Sequence, residues 1–166
     1  MTTRARWALR LIAAAAAATA CLAASAPALA QDTARVTVPA VLSFDVTDVL
    51  TSAVASPNPT RASFDTAVIP PTQAIRFSVR ADGDLIGPGG SSIPASHLSW
   101  TTSNVLNGVG VNGTLSRTSY ATVFEGQPTA TSGGVDLVWT LAAPGTPLRA
   151  GTYQLTLRWK AEAFVP

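Results

Sequence analysis

Near its C-terminus the chain reads Tyr153-Gln154-Leu155-Thr156-Leu157-Arg158-Trp159-Lys160-Ala161-Glu162-Ala163, in which apolar and polar side chains alternate. Successive side chains of a β-strand point to opposite faces, so this period-two alternation predicts a strand with one buried face. The apolar face carries Tyr153, Leu155, Leu157, Trp159, Ala161 and Ala163.

The same alternation recurs in three other segments, which cover residues 36–46, 75–82 and 135–141. Pro39 interrupts the first of them, and proline has no backbone N–H. We therefore expect that strand to lie at a sheet edge or to carry a bulge. No segment after residue 30 has sustained helical periodicity.

Turn signals separate these runs. Asn112-Gly113 is typical of a type I′ hairpin, and Gly133-Gly134 is typical of another two-residue turn. Seven or eight short strands in residues 31–166 predict a single all-β domain, an antiparallel immunoglobulin-like β-sandwich.

The first thirty residues, Met1–Ala30, have the pattern of a cleaved signal peptide. Arginines come first, an apolar run covers residues 11–22, and Ala28-Leu29-Ala30 is a small-x-small cleavage site before Gln31. The apolar run is shorter than the roughly 20 residues of a permanent transmembrane helix. We therefore predict export to the periplasm, cell surface or medium with no transmembrane anchor after cleavage. Lipoprotein processing at Cys21 is the alternative.

Cleavage changes the charge balance of the chain. The whole sequence has 11 Lys and Arg against 9 Asp and Glu, a net charge of +2. Removal of Arg4, Arg6 and Arg10 leaves the acidic residues in slight excess, so no basic cluster is left to bind nucleic acid. The only cysteine, Cys21, is lost as well, and the exported domain then has no disulfide.

The sequence lacks motifs for catalysis and for cofactor or metal binding. His97 is the only histidine, which excludes a zinc site built on a histidine pair. No serine lies in a Gly-x-Ser-x-Gly motif, and Lys160 has no serine three residues before it. We predict a protein that is not an enzyme and has no cofactor. A hydrolase would need a Ser-His-Asp triad through His97, which only the folded chain can assemble.

Two further groups have both a structural and a functional interpretation. Asp82-Gly83-Asp84 is expected to be a plain turn, and a calcium site is its alternative because Ca²⁺ prefers carboxylate oxygens. The tryptophans Trp100, Trp139 and Trp159 are expected in the core, and an outward sugar-stacking platform is their alternative.

The C-terminal run Ala150-Gly151-Thr152-Tyr153, continued by Gln154-Leu155-Thr156-Leu157, resembles the closing strand of secreted bacterial pilin-like domains. The nearest analogy is the group of spore coat protein U and archaic chaperone–usher pilins. The resemblance implies a sandwich that lacks its final edge and receives the N-terminal extension of a neighbour by β-strand addition. Members of that group usually carry a disulfide, which this chain lacks after cleavage.

The resemblance points to two sets of residues for such strand pairing. The donated strand would carry Val36, Val38, Leu42 and Phe44. The receiving core would carry Tyr153, Leu155, Leu157 and Trp159. The alternative is that the segment 36–46 pairs within its own sandwich, as a first strand normally does.

The sequence thus favours a secreted bacterial structural or adhesive surface protein, a fibre or coat subunit that self-associates or binds related subunits by β-strand pairing. The alternative function is a monomeric immunoglobulin-like binding module for a carbohydrate or a protein. Its ligand would contact the loops at residues 82–92 and 104–113.

Overall fold

The computed structural model describes residues 34–65 and 69–166. This part of the chain forms thirteen β-strands and no α-helix, with single 3₁₀ turns at Pro88–Gly90 and Ala95–His97. The strands are β1 (Arg35–Thr37), β2 (Val41–Val46), β3 (Ala53–Ser56), β4 (Thr60–Asp65), β5 (Ala74–Ala81), β6 (Leu85–Ile86), β7 (Ser92–Ile93), β8 (Leu98–Leu106), β9 (Gly108–Gly110), β10 (Gly113–Thr114), β11 (Ala121–Gly126), β12 (Gly133–Leu141) and β13 (Gly151–Phe164).

The strands form one large sheet in which every described pair is antiparallel. Its main order is β1-β4-β12-β3-β2-β13-β5-β11-β9. Strand β8 pairs with β12 and carries β10, while β6 pairs with β13 and carries β7. The predicted all-β class and antiparallel pairing are therefore confirmed. The strands outnumber the expected seven or eight because the run 36–46 is divided into β1 and β2, and because β3, β6 and β7 lie outside the alternating runs.

The core lies inside the curve of this sheet. Phe64 of β4 and Phe77 of β5 are far apart in the strand order, yet their ring centroids are only 6.1 Å apart. Phe124 packs against both of these rings. Trp100 and Trp139 are buried side by side, with ring centroids 5.4 Å apart. Large aromatic side chains thus fill the interior, where apolar burial stabilises the fold.

The longest strand, β13, has two partners in succession. Residues 151–156 pair with β2, and residues 157–164 pair with β5. The strand predicted from the C-terminal alternation is therefore confirmed, and it extends over 14 residues. Its apolar face is buried through Leu157, but Trp159 is only half-buried and Ala161 and Ala163 are exposed.

The chain changes partners at Pro39. Val36 in β1 lies opposite Phe64 in β4, whereas Phe44 in β2 lies opposite Tyr153 in β13. Residues 38–40 belong to neither strand. The interruption expected at Pro39 is a complete break, so the segment 36–46 forms two strands with different neighbours.

The prediction of hairpin turns at Gly133-Gly134 and Asn112-Gly113 is wrong. Gly133 and Gly134 lie inside β12, where a Cβ atom on Gly133 would be 2.7 Å from the Phe64 ring. The pair therefore provides close strand approach rather than a turn. Asn112-Gly113 does not close a hairpin, since β9 pairs with β11 and β10 pairs with β8.

The signal peptide at residues 1–30, its cleavage site and Cys21 lie outside the described residues. Among residues 34–65 and 69–166, no helix has the length and apolar character needed to cross a membrane.

Candidate functional site

Among the described residues, the second half of β13 has no neighbouring strand at one of its edges. The Thr156 carbonyl accepts a hydrogen bond from the Asp82 N–H at 3.0 Å, on the β5 side. The Leu157 N–H donates to the Ala40 carbonyl at 2.8 Å, on the β2 side. Successive backbone groups of a strand point to opposite edges in this way.

The odd-numbered residues of this stretch therefore direct their N–H and C=O groups to the same edge as Leu157, so the backbone groups of Trp159, Ala161 and Ala163 point away from β5. Strand β2 does not reach them, because it begins at Val41, opposite Thr156. No strand in the described part of the chain pairs with them on that side. We call this stretch, residues 159–164 on the side away from β5, the free edge.

A shallow apolar groove lies beside the free edge. It has a volume of about 160 Å³ and lies between β1 and the end of β13. Its apolar lining consists of Ala34, Val36, Ile69, Ile75, Ala161 and Ala163, and Glu162 contributes to its rim. Val36 is 39% exposed here, whereas Ile75 forms part of the core. An unpaired edge next to apolar side chains is a template for another strand.

Trp159 contacts the chain at the point where it crosses from β1 to β2. Its indole Nε1 donates a hydrogen bond to the Pro39 carbonyl at 2.6 Å. The ring is half-buried and packs against the core. This contact connects the partner change at Pro39 with the start of the free edge.

Charged side chains cover the opposite, outward face of the same stretch. Lys160 Nζ lies 2.6 Å from Glu162 Oε2. The Arg76 guanidinium lies 3.9 Å from the centroid of the Phe164 ring and forms an ion pair with Glu125 at 2.9 Å. The free edge therefore separates an apolar face from a charged face.

The residues predicted for strand pairing are brought together only in part. Leu42 lies opposite Leu155, and Phe44 lies opposite Tyr153, within one chain. These four side chains are buried to at least 98%. Leu157 is also buried.

The other three predicted residues lie at the opposite end of β13. Val36 pairs with β4 and lines the groove, while Val38 is half-buried against the core. Trp159 is the first residue of the free edge. The sequence prediction thus mixed residues of the closed core with residues beside an open edge.

The sequence analysis did not identify Ala161 and Ala163 as site residues, because in the sequence they are only two more apolar residues at the alternate positions of the strand. One signal in the sequence could have found them. The final alternating run extends over 11 residues, whereas Pro39 restricts a partner strand to residues 40–46. The partner is therefore shorter than the run, and part of the run is left unpaired on that side.

The tyrosine at the start of β13 fixes the preceding loop. The Tyr153 hydroxyl donates to the Arg149 carbonyl at 2.9 Å and lies 2.8 Å from Ser91 Oγ. Gly87 packs on this ring, since a Cβ atom there would lie 2.3 Å from Tyr153 Cε1. This end of β13 is therefore closed and specifically packed, in contrast to the free edge.

His97 lies at the end of a 3₁₀ turn, beside a cavity of about 200 Å³. Ile93, Pro144 and Leu148 supply apolar walls of the cavity. The ring atom Nδ1 is enclosed and has no hydrogen-bond partner among the described residues. No described carboxylate therefore orients this ring as the aspartate of a catalytic triad does.

The Asp82-Gly83-Asp84 segment is a bend whose carboxylates both contact arginines. Asp82 accepts a hydrogen bond from Arg158, which lowers the pKa of that carboxyl. Asp84 forms an ion pair with Arg117 at 2.8 Å and accepts a hydrogen bond from the Ala95 N–H. Within residues 34–65 and 69–166, no group of three or more His, Cys, Asp or Glu side chains could hold a metal ion.

The tryptophans have different environments. Trp139 is fully buried and donates to Thr60 Oγ1 at 2.8 Å, and Trp100 donates to the Val111 carbonyl at 2.7 Å. Both therefore lie in the core, as expected, and Trp159 is the half-buried exception. An outward platform of all three rings does not form.

Comparison of the chain with protein-family models, curated proteins and solved structures found no match.

Proposed function

We propose that the protein is a secreted structural or adhesive subunit of a bacterial surface, and that its immunoglobulin-like β-sandwich self-associates by β-strand pairing. The free edge is the observation that carries this proposal. Its backbone groups at Trp159, Ala161 and Ala163 lack a strand neighbour in the described chain. Strand addition would supply that neighbour.

The groove strengthens the case for association at this edge. Val36, Ala161 and Ala163 are exposed although they line an apolar surface. A strand placed on the edge would satisfy the outward backbone groups and cover these side chains together. Main-chain hydrogen bonds would provide affinity, and apolar burial in the groove would add to it.

The proposal places assembly at residues 159–164 rather than at Leu42 and Phe44. Those two side chains already fill the interior of their own domain opposite Leu155 and Tyr153. Their use in assembly would require an exchange of the whole strand β2. Association at the free edge requires no rearrangement of the core.

The first experiment is sedimentation velocity on the protein, expressed as the full chain and purified, over a wide range of concentrations. The test variant is Ala161→Pro, which removes an N–H directed at the free edge and leaves the pairing with β5 intact. The matched control is Ala161→Ser, which keeps that N–H.

We expect the wild-type protein and Ala161→Ser to associate, and Ala161→Pro to be a folded monomer. A wild-type monomer at every concentration would overturn the proposal. Equal association of all three proteins would show that the interface does not include the free edge. Thermal unfolding of Ala161→Pro confirms that the variant is folded.

The cavity beside His97 favours a second function, a monomeric module that binds a small ligand. An enclosed polar nitrogen among apolar walls is typical of a ligand pocket, although a volume of about 200 Å³ is small for one. The test is intrinsic tryptophan fluorescence during titration with monosaccharides, with His97→Ala as the variant. Saturable quenching that the variant loses would support this function, and a flat titration would reject sugars as ligands.

A further inference from the structure

The charge pattern on the free edge is complementary to itself. Lys160 and Glu162 flank Ala161 on the outward face, and their side chains are 51% and 33% exposed. An antiparallel copy of the same strand, centred on Ala161, would place Lys160 opposite Glu162 on both sides of the centre. Opposite charges across neighbouring strands stabilise the pair.

The backbone has the parity that this arrangement needs. Ala161 is an odd-numbered residue of β13, and the odd-numbered N–H and C=O groups point towards the free edge. Two copies centred on Ala161 would bring Trp159 opposite Ala163, and Ala161 opposite Ala161. Every outward backbone group of one copy would then face an outward group of the other.

Neighbouring registers are less favourable for electrostatic reasons. Centring the pair on Lys160 would place two lysines opposite each other, which offsets part of the gain from the two Arg158–Glu162 pairs of that register. Centring it on Glu162 would place two glutamates opposite each other. Centring it on Trp159 would bring Arg158 against Lys160. Like charges directly opposite each other destabilise a strand pair.

The inner face accepts the same register. Ala161 and Ala163 present only methyl groups to the groove, so β13 itself places no bulky side chain against a second strand beyond Trp159, and Val36 and Ile69 line the other side of the groove. Trp159, which is half-buried in one chain, would lie beside Ala163 of the second copy. A large side chain next to a small one is the combination that packs without a void.

We infer that the occupant of the free edge is a second copy of this chain, paired antiparallel about a two-fold axis at Ala161. The inference rests on the proposed function and names its partner. Such an isologous contact closes on itself, so the assembling unit is a dimer. Growth beyond the dimer would use another surface.

The test uses the charge variants Lys160→Glu and Glu162→Lys. Each variant alone places like charges opposite each other twice, so we expect its dimerisation to weaken by at least about tenfold. An equimolar mixture of the two restores opposite charges at both positions and should dimerise like the wild type. The double variant that carries both changes should also dimerise by itself.

Gln154→Glu is the matched control. It alters the charge of β13 at a residue paired with both β2 and β6, and we expect no change in association. Sedimentation velocity at low ionic strength measures all of these proteins, since salt screens exposed charges. Thermal unfolding verifies that each variant is folded.

A disulfide checks the register independently. Residues directly opposite each other in a hydrogen-bonded pair have Cα atoms about 5.5 Å apart, a distance that a disulfide can join. In a Cys21→Ser background, Ala161→Cys should therefore form an oxidised dimer. Ala163→Cys should not, because its equivalent lies four residues away along the partner strand.

The outcomes separate this inference from the proposed function. Association without rescue in the mixture, or association unaffected by either charge variant, overturns the two-fold register and leaves the assembling subunit in place. A monomeric wild-type protein overturns both. Charge rescue in a protein that is not exported overturns only the proposed function.

Discussion

Phe44 and Tyr153 lie directly opposite each other in β2 and β13, and both side chains are completely buried. Leu42 and Leu155 form the next pair on the same face. The two strands therefore belong to the interior of one domain. Substitutions in these pairs test folding, and substitutions at the free edge test assembly.

The first prediction concerns Phe44. We expect Phe44→Ala to lower the free energy of unfolding by about 3–5 kcal/mol, because it removes a fully buried ring and leaves a cavity. Phe44→Asp should prevent folding altogether, since it would place a carboxylate in the core. Urea unfolding measures the first change.

Val41→Ala is the control on the same strand. Val41 is 50% exposed, so the change should be within about 0.5 kcal/mol of the wild type. A similar loss in both variants would contradict the burial of Phe44 against Tyr153.

The second prediction concerns Gly113, which packs against the face of Trp100. A Cβ atom on Gly113 would lie 2.5 Å from Trp100 Cζ2. Gly113→Ala should therefore destabilise the domain by about 1–3 kcal/mol, as overpacking does. Gly83→Ala is the matched change, because no heavy atom lies within 4 Å of the corresponding Cβ. Equal melting temperatures of the two variants would show that Trp100 does not pack on Gly113.

The third prediction concerns the Tyr153 hydroxyl. Tyr153→Phe keeps the buried ring and removes the hydrogen bond to the Arg149 carbonyl, so we expect a loss of about 1–2 kcal/mol. Tyr120→Phe is the control, since Tyr120 is 43% exposed. Its unfolding free energy should match the wild type, and chemical denaturation compares the two. A neutral Tyr153→Phe would mean that the hydroxyl does not hold the Arg149 loop.

The fourth prediction concerns pH and Asp136, whose side chain is 15% exposed. Hydrogen bonds from Asn104, at 2.8 Å, and from Arg61, at 2.7 Å, lower the pKa of the Asp136 carboxyl. The folded state thus favours the ionised form. The resulting stability is present above the ordinary carboxyl pKa and is lost as the pH falls through the lowered value.

Asp136→Asn should therefore cost roughly 1 kcal/mol at pH 7 and much less at strongly acidic pH. Arg61→Met removes one of the two partners and should give a smaller loss with the same sign. Urea unfolding at both pH values measures these differences. A deficit in Asp136→Asn that is constant with pH would assign the effect to packing instead of ionisation.

Alternation in the sequence correctly predicted the main apolar face of the strands that have both neighbours, although Ser78, on the polar parity of β5, is buried as well. Phe77, Trp139 and Tyr153 lie in the core on the parity that the sequence indicates. Alternation assigns a face and does not name a partner, because pairing depends on residues far away in the chain. The division of residues 36–46 between β4 and β13 could not be predicted for this reason.

The candidate site shows the same limit. The parity of Ala161 and Ala163 places them on the apolar face, but their exposure depends on where β2 begins. Gly133 and Gly134 resemble a turn in isolation and lie within β12 because Phe64 and Ser63 pack against them. Contacts between distant segments decide both cases.

The partner change at Pro39 also has a mechanical consequence. β1 is joined to β4 by three residue pairs, whereas β2 is joined to β13 by six and also to β3. A pulling force applied at the N-terminal end would load these attachments one after the other. β1 would detach first and lengthen the tether by a few residues, while β2 continued to bear the load.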